Sequence, residues 1–299
     1  MLSFLPAPIQ GVIVSTAFVV NLLFWAVPVY LVIFVKLIPW APSRHVCSLA
    51  LHWLCKRWQA CNVLLAEGLH RREWEIRGTE NLRDDAQYLV ICNHQTYNDI
   101  YVLMRAIGDR VPFFKFFIKQ ELIWVPVLGL VWWALDYPFM KRYSREQLKA
   151  RPELAGQDLE TARRSCEKYR RMPVTVLNFL EGTRYTPAKH AKQKSPYTHL
   201  LQPRTGGLAF AAAALGENVN TLLDVTIIYP GGPCGFWDFM CGRMRRVIVD
   251  VRERQIPHSW YTQDYQNDLQ ARRDAQAWVA GLWQEKDALI ARELAAASD

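Results

Sequence analysis

The sequence predicts an α/β fold with a mixed, mostly parallel sheet flanked by helices, preceded by an N-terminal membrane helix or helix pair. Three observations predict it. From about residue 70 onward, short apolar runs alternate with helical patterns. The first 43 residues carry a single charge, Lys36. The polar stretches richest in reactive side chains directly follow apolar runs, where strands end and helices begin in such folds.

At the N-terminus, the 25 residues from Gly11 to Val35 are interrupted by only three notable polar side chains, Ser15, Thr16 and Asn21. That length can cross a bilayer as a helix, and Pro28 is tolerated within one. A hairpin or interfacial helix pair fits the same residues. No basic region precedes the segment and no cleavage site follows it, which argues against a secretory signal. Lys36, Arg44, Lys56 and Arg57 follow it and no positive charge precedes it, so the body of the chain is expected on the cytoplasmic side of the inner, cytoplasmic membrane. A helix is expected over about 45–67. Cys47, Leu51, Leu54, Trp58, Cys61 and Leu65 form its apolar stripe, with His52, Lys56 and Gln59 on another face.

Beyond it, the expected strands are Tyr88–Cys92, Phe113–Ile118, Pro138–Lys141, Val174–Leu180, Asp224–Tyr229 and Arg246–Val251. The expected helices are Asp99–Ile107, Arg145–Tyr169, Gly206–Ala214 and Ala275–Ala296. Between Glu121 and Asp136 lies an uncharged, mostly apolar stretch of 14 residues, short for a span and suited to a buried or interfacial hairpin. Residues 141–171 hold ten Lys/Arg against five Asp/Glu, a helix face for solvent or for anionic lipid.

Composition narrows the function. Hydrophobic residues at 51% and charged residues at 21% describe a folded chain, and its 299 residues suffice for a large domain. Twelve tryptophans suit either a membrane interface or a large core. The net charge of +8 calls for an anionic partner. Neither zinc-finger spacing nor an aromatic RNA-binding signature is present, so no nucleic acid is expected and lipid or phosphate is preferred. Seven scattered cysteines without a C-x-x-C pair read as reduced structural thiols, with no metal site.

Two polar stretches carry possible chemistry. In "CNHQTYND" (Cys92–Asp99), His94 and Asp99 are five residues apart, which on a straight helix is a rotation of about 500° and would point them away from each other. They meet only if His94 lies in a turn and the helix starts after it. Thr96 as helix cap with Asp99 three residues on resembles a capping box that turns the carboxylate back toward the imidazole. Such a carboxylate fixes the tautomer, so the other ring nitrogen can accept a proton from a hydroxyl. The same residues also fit a plain helix cap beside a passive histidine. In "NFLEGTRYT", an apolar strand ends at Glu181, Gly182, Thr183 and Arg184. Glycine permits close backbone approach, and arginine offers a fork for phosphate. A simple turn fits them too.

Taken together, these residues resemble the 1-acylglycerol-3-phosphate (lysophospholipid) acyltransferase family, over roughly residues 70–255. The N-H-x4-D block corresponds to Asn93, His94 and Asp99. A second block corresponds to Lys119, Leu122 and Pro126 followed by "YPFMKR" ending at Arg142. The E-G-T-R block corresponds to Glu181–Arg184, and a last block is "VTIIYP" ending at Pro230. All four stand in order, and "EGTRYTPAKHAKQ" with "LLQPRTGGLAFA" is similar to one subgroup. One departure is Asp136, where the family usually has glycine six residues before the arginine.

The resemblance implies a glycerolphosphate-acyltransferase-like fold, with residues 1–67 as membrane anchor and 68–299 as catalytic domain. It implies acyl transfer from acyl-CoA or acyl-carrier protein to the free hydroxyl of a lysophospholipid, by default lysophosphatidic acid to phosphatidic acid. His94 would be the general base and Asp99 its orienting acid, with no metal and no cofactor beyond the acyl donor. Lys119, Arg142, Glu181, Gly182, Thr183 and Arg184 would bind substrate, Glu181 alternatively positioning the loop. The apolar stretch 122–135 would form an acyl-chain wall. The expected partners are the bilayer, the acceptor and the acyl donor. Two rivals remain at this level: a hydrolase using His94 and Asp99 on water, and a non-catalytic membrane lipid-binding protein.

Overall fold

The computed structural model describes residues 4–126, 128–140, 157–167, 169, 172–217, 219–262, 265 and 268–297. Its centre is a six-stranded sheet in the order β1-β8-β7-β2-β6-β3. The strands are β1 (Glu73–Arg77), β2 (Gln87–Cys92), β3 (Phe114–Lys115), β6 (Val174–Phe179), β7 (Thr221–Ile228) and β8 (Arg246–Gln255). Every pairing is parallel except β7 with β8. A second, two-stranded parallel sheet joins β4 (Ile118–Lys119) to β5 (Phe139–Met140). The helices are α1 (Ala7–Lys36), α2 (Ala41–Leu69), α3 (Asp99–Ile107), α4 (Leu128–Ala134), α5 (Gln157–Cys166), α6 (Pro187–Gln193), α7 (Thr205–Leu215), α8 (Phe236–Met240), α9 (Ser259–Thr262) and α10 (Leu269–Ala296).

Both faces of the sheet are covered, as a parallel sheet requires. Alternate strand residues serve the two cores. Leu89, Ile91, Val174, Val176 and Leu222 pack with α7 and α10. Tyr88, Val90, Cys92, Leu177, Leu223 and Val225 pack with α3, α8 and residues of α1 and α2.

The α/β class, with its mixed, mostly parallel sheet, and one long apolar helix near the N-terminus are as expected; several local features differ. The run Phe113–Ile118 is two strands, because after Lys115 the chain leaves the main sheet and Ile118 N–H donates to Pro138 O of the small one. Strand β1 was not expected: "EWEIR" alternates charged and apolar residues, the pattern of a half-exposed edge, where Arg77 pairs with Glu293 of α10. Strand β7 begins three residues before Asp224, whose buried carboxylate is 2.6 Å from Lys286 Nζ of α10, an ion pair off hydrogen-bond alignment. Helix α10 starts at Leu269, six residues earlier than expected, because the Asp268 side chain caps it by accepting from Gln270 N and Ala271 N. Of the helix expected over 145–169, residues 157–166 are helical, and 145–156 lie outside the described residues.

The anchor differs in its facing. Helix α2 extends to Leu69, so the boundary at 67/68 falls inside its last turn. Its buried ridge runs through Cys47, Leu51, Cys55, Gln59, Asn62 and Ala66, drifting off the expected line through Trp58, Cys61 and Leu65. The polar members explain the drift. Gln59 sits where a Cβ on Gly108 would come within 1.9 Å, and Asn62 accepts a hydrogen bond from Asn21 of α1. Helix α1 rests against the rest of the chain at both ends. Near its start Gly11 leaves no room for a Cβ beside Cys241 and Trp237, and Phe18 meets Phe239 edge-on. At its end Lys36, 3% exposed, donates to Ser48 Oγ, Ala134 O and Asp136 Oδ2 at 2.6–2.8 Å.

Asp136 has φ of +60°, a left-handed conformation that glycine adopts freely and aspartate tolerates. This accounts for the departure noted above: the backbone shape stays that of a glycine, and the side chain pairs with Lys36. Asp136→Gly keeps the turn but orphans a buried ammonium, so the full-length protein in detergent should lose about 3–5 kcal/mol. Adding Lys36→Met should recover most of it. Equal thermal midpoints for the single and double variants would show that the unpaired ammonium costs nothing.

Candidate active site

The site is made at the carboxyl ends of three adjacent strands, β6, β2 and β7. Strand β2 ends at Cys92, and the next residue, Asn93, carries the pairing onward with its side chain. Asn93 Nδ2 donates to Ile227 O and Asn93 Oδ1 accepts from Ile227 N, both at 2.8 Å. The amide thus replaces a strand residue and holds the start of the turn against β7. His94 follows with its imidazole partly exposed, stacked on Phe179 at 4.1 Å between ring centroids.

Asp99, fully buried, is the hub. Its Oδ2 accepts from His94 Nδ1 at 2.7 Å, Gln95 N at 2.7 Å and Thr96 N at 3.0 Å. Its Oδ1 accepts from the Tyr229 hydroxyl at 2.7 Å. The turn therefore does bring His94 and Asp99 together, but by a different cap from the one expected. The N-cap residue is Asn98, and the Thr96 hydroxyl donates to Cys234 O. Only the return half of the box, Asp99 to the Thr96 amide, is made. A carboxylate only accepts, so His94 Nδ1 is the donor, and in the neutral ring the lone pair is on Nε2.

The second loop is stitched to the first. Glu181 is fully buried; its Oε1 accepts from His94 N at 2.8 Å and its Oε2 from Leu201 N at 3.1 Å. Tyr185 N donates to His94 O at 2.7 Å, closing the junction from the other side. Glu181 therefore sits beneath the loop as a brace, the positioning role named above as the alternative to substrate contact. Burial raises its carboxyl to about 7, opposed by the two backbone donors. Burial and the charge of Asp99 likewise hold the Tyr229 hydroxyl well above its ordinary range, so it stays a donor.

Gly182 has φ of +66°, and a Cβ there would press on the Arg204 side chain at 3.2–3.4 Å. The Thr183 hydroxyl accepts from Lys189 Nζ, which also donates to Arg184 O. The Arg184 guanidinium lies 3.3 Å from the Tyr97 ring centroid and donates to the Tyr97 hydroxyl, linking the two sequence motifs at the surface. Lys119 is exposed on the small sheet, and none of the bonds that stitch the two loops involves it. Arg142 lies outside the described residues.

Sequence reasoning missed Tyr229, Tyr97, Lys189 and Arg204. Tyr229 stands just before Pro230 of the last block, so its position carried a signal. Nothing local marks Lys189 or Arg204 as partners of the Gly182–Arg184 loop.

The family model described as Acyltransferase matches residues 73–230, just over half of the chain and all of the residues just described from Asn93 to Tyr229. The 2-acyl-1-lysophosphatidylinositol acyltransferase of Saccharomyces cerevisiae is 25% identical over 240 residues, covering 68% of this chain and 60% of the yeast protein. The 1-acyl-sn-glycerol-3-phosphate acyltransferase gamma of Homo sapiens is 28% identical over 186 residues, covering 58% and 44%. The chain thus spans about half the length of the curated relatives it matches. Among solved structures, the 1-acyl-sn-glycerophosphate (LPA) acyltransferase PlsC of Thermotoga maritima superposes with a TM-score of 0.53 at 18% identity, over 94% of this chain and 98% of that one. At that identity the likeness is one of fold.

The brace has a pH signature. Between about 4.5, its ordinary value, and about 7, Glu181 keeps its proton when folded and loses it when unfolded. Its contribution to stability is therefore largest in acid and falls as pH rises through that window. Glu181→Gln removes this slope and, by facing an amide nitrogen toward one backbone N–H, costs about 1–3 kcal/mol. Urea midpoints at pH 5 and pH 8 for the two proteins would show it, and parallel pH dependences would refute it.

Proposed function

Because the chain belongs to the acyltransferase family, we propose that it is a membrane-bound lysophospholipid acyltransferase, most simply one that converts lysophosphatidic acid to phosphatidic acid. The observation that carries this reading is the His94–Asp99 contact, held by Tyr229 and two backbone amides, with Nε2 left to act. The relatives named above, acyltransferases of lysophosphatidylinositol and of 1-acylglycerol-3-phosphate, support the substrate class.

In this reading His94 Nε2 takes the proton of the acceptor hydroxyl as its oxygen attacks the thioester carbonyl. The imidazolium is stabilised by Asp99, as in a Ser-His-Asp triad with the substrate hydroxyl in place of serine. Collapse of the tetrahedral intermediate breaks the C–S bond, and the thiolate leaves with the proton from His94. The products are an ester and a free thiol, and the only other reactant is the acyl donor, acyl-CoA or acyl-carrier protein.

The acceptor's phosphate is assigned in this reading to the Gly182–Arg184 loop, near which Arg184, Lys189 and Arg204 bring positive charge, and Lys119 and Arg142 are retained as further contributors. The exposed Leu122, Trp124 and Leu128 of the 122–135 stretch support a lipid-facing acyl wall there. Helices α1 and α2 expose many apolar side chains, which supports attachment to a membrane, with the site on the cytoplasmic side following from the charge asymmetry. Thirty helical residues span about 45 Å, and α1 touches the body of the protein at both ends, so the hairpin reading is preferred to a perpendicular span. Residues 1–67 with the end of α2 remain the anchor, and the rest the catalytic domain.

The test is acyl transfer in membranes carrying the wild-type chain, His94→Ala or Asp99→Asn, supplied with labelled oleoyl-CoA or oleoyl-acyl-carrier protein and lysophosphatidic acid. Wild type should form phosphatidic acid, His94→Ala none, and Asp99→Asn should be slower by a factor on the order of 10³–10⁴. Equal product from wild type and His94→Ala would remove His94 as the base. Release of free fatty acid without acceptor would point to a hydrolase.

A further inference from the structure

Lys286 lies in the last helix, α10, outside the matched residues 73–230, and no step of the acyl transfer uses it. It is 2% exposed. We propose that Lys286 is a positioning residue of the active site: its buried ammonium fixes the end of β7, from which Ile227 and Tyr229 hold the catalytic turn. The effect on rate rests on the acyl-transfer reading above, whereas the effect on His94 rests on geometry alone.

The ammonium meets three successive residues of β7. Nζ donates to Val225 O at 2.7 Å and to the Thr226 hydroxyl at 2.9 Å, and lies 2.6 Å from Asp224 Oδ1. A buried ammonium is tolerated only where its charge and its N–H groups are met, and here it faces three oxygens. The strand runs on unbroken to Ile228. Val225 stands opposite Cys92 of β2, Ile227 pairs both ways with the Asn93 side chain, and Tyr229 donates to Asp99. A displacement of β7 at Val225 is therefore passed directly to Asn93 and Asp99, and through them to His94.

The same stretch of α10 supports the second loop. Trp283, fully buried and nearly one turn earlier, donates from Nε1 to Leu201 O at 3.1 Å, and Leu201 N donates in turn to Glu181 Oε2. Asp287, directly after Lys286, accepts from Thr198 N and His199 N at 2.9 and 2.7 Å. Residues 283–287 thus hold both the strand behind the catalytic turn and the loop behind Glu181. The charges agree with this placement. Asp99, Glu181 and Asp224 are buried carboxyl groups whose charges act on the Cys92 thiol, and Lys286 is the cation that acts against them. At Glu181, burial raises the carboxyl, Asp99 raises it further and Lys286 opposes the rise.

The experiment uses the full chain in detergent. Lys286→Met alone leaves Asp224 unpaired in the interior, so it is combined with Asp224→Leu, an apolar replacement of the ion pair that should fold with a thermal midpoint near that of the wild type. With oleoyl-CoA and lysophosphatidic acid, the double variant should lose at least about tenfold in kcat while both KM values change less than about twofold, because the setting of His94 is altered and neither substrate is contacted. The proton on His94 Nδ1, read in the downfield proton NMR spectrum and assigned by its absence from His94→Ala, should shift or broaden. Thr226→Val takes one acceptor from the ammonium and leaves the ion pair. It serves if the double variant fails to fold, and should lower kcat by about threefold with the same change in the spectrum. Wild-type kcat with an unmoved His94 signal in folded variants would reduce Lys286 to a structural ion pair and overturn the proposal. A rise in either KM at unchanged kcat would overturn it too. If the wild type transfers nothing, the acyl-transfer reading fails and the spectrum decides alone: a moved signal supports the positioning role, and an unmoved one removes it.

Discussion

The buried carboxylate of Asp99 is the constraint on which the rest of the site depends. A charged group with no exposure is tolerable only when its lone pairs are met, and here four donors meet them. Three come from the turn that Asp99 itself closes, and the fourth reaches over from the end of β7. Satisfying the charge and aiming the imidazole are therefore one event. His94 is not free to choose its tautomer or its direction, because the donor that would have to be surrendered is one the carboxylate needs. Preorganisation of this kind keeps reorientation out of the chemical step.

Asn93 and Glu181 extend the same logic across three strands. Where the ladder of β2 ends, polar side chains take over the work of backbone groups. Asn93 pairs both ways with Ile227, and Glu181 receives the His94 and Leu201 amides. The two loops consequently form one rigid unit, with Arg184 resting on Tyr97 above it. A parallel sheet leaves such strand ends side by side, and here side-chain acceptors take up several of the amides left over there.

The two faces of the sheet divide the labour. One carries α1 and α2, clamped to the body through Lys36 and Asp136; the other carries α10. The turn after β2 lies at the carboxyl ends of the strands, between these two layers.

The alternation of apolar runs and helical patterns determined the α/β class, because burial on both faces of a sheet demands such runs. The one long uncharged segment determined that α1 is an apolar helix. Local order also carried much of the site: His94, Asp99, Glu181 and Gly182 stand where a strand must stop, and a histidine five residues from an aspartate can meet it only across a turn. What tertiary structure decided depends on partners distant in the chain. Whether Glu181 faces substrate or lies beneath a loop turns on Leu201 and His94. Whether a buried lysine is tolerated turns on Asp136, a hundred residues away. The drift of the α2 ridge onto Gln59 and Asn62 and the edge position of β1 follow from packing between elements. Hydrophobic periodicity says which residues seek burial, but long-range contacts decide what they are buried against.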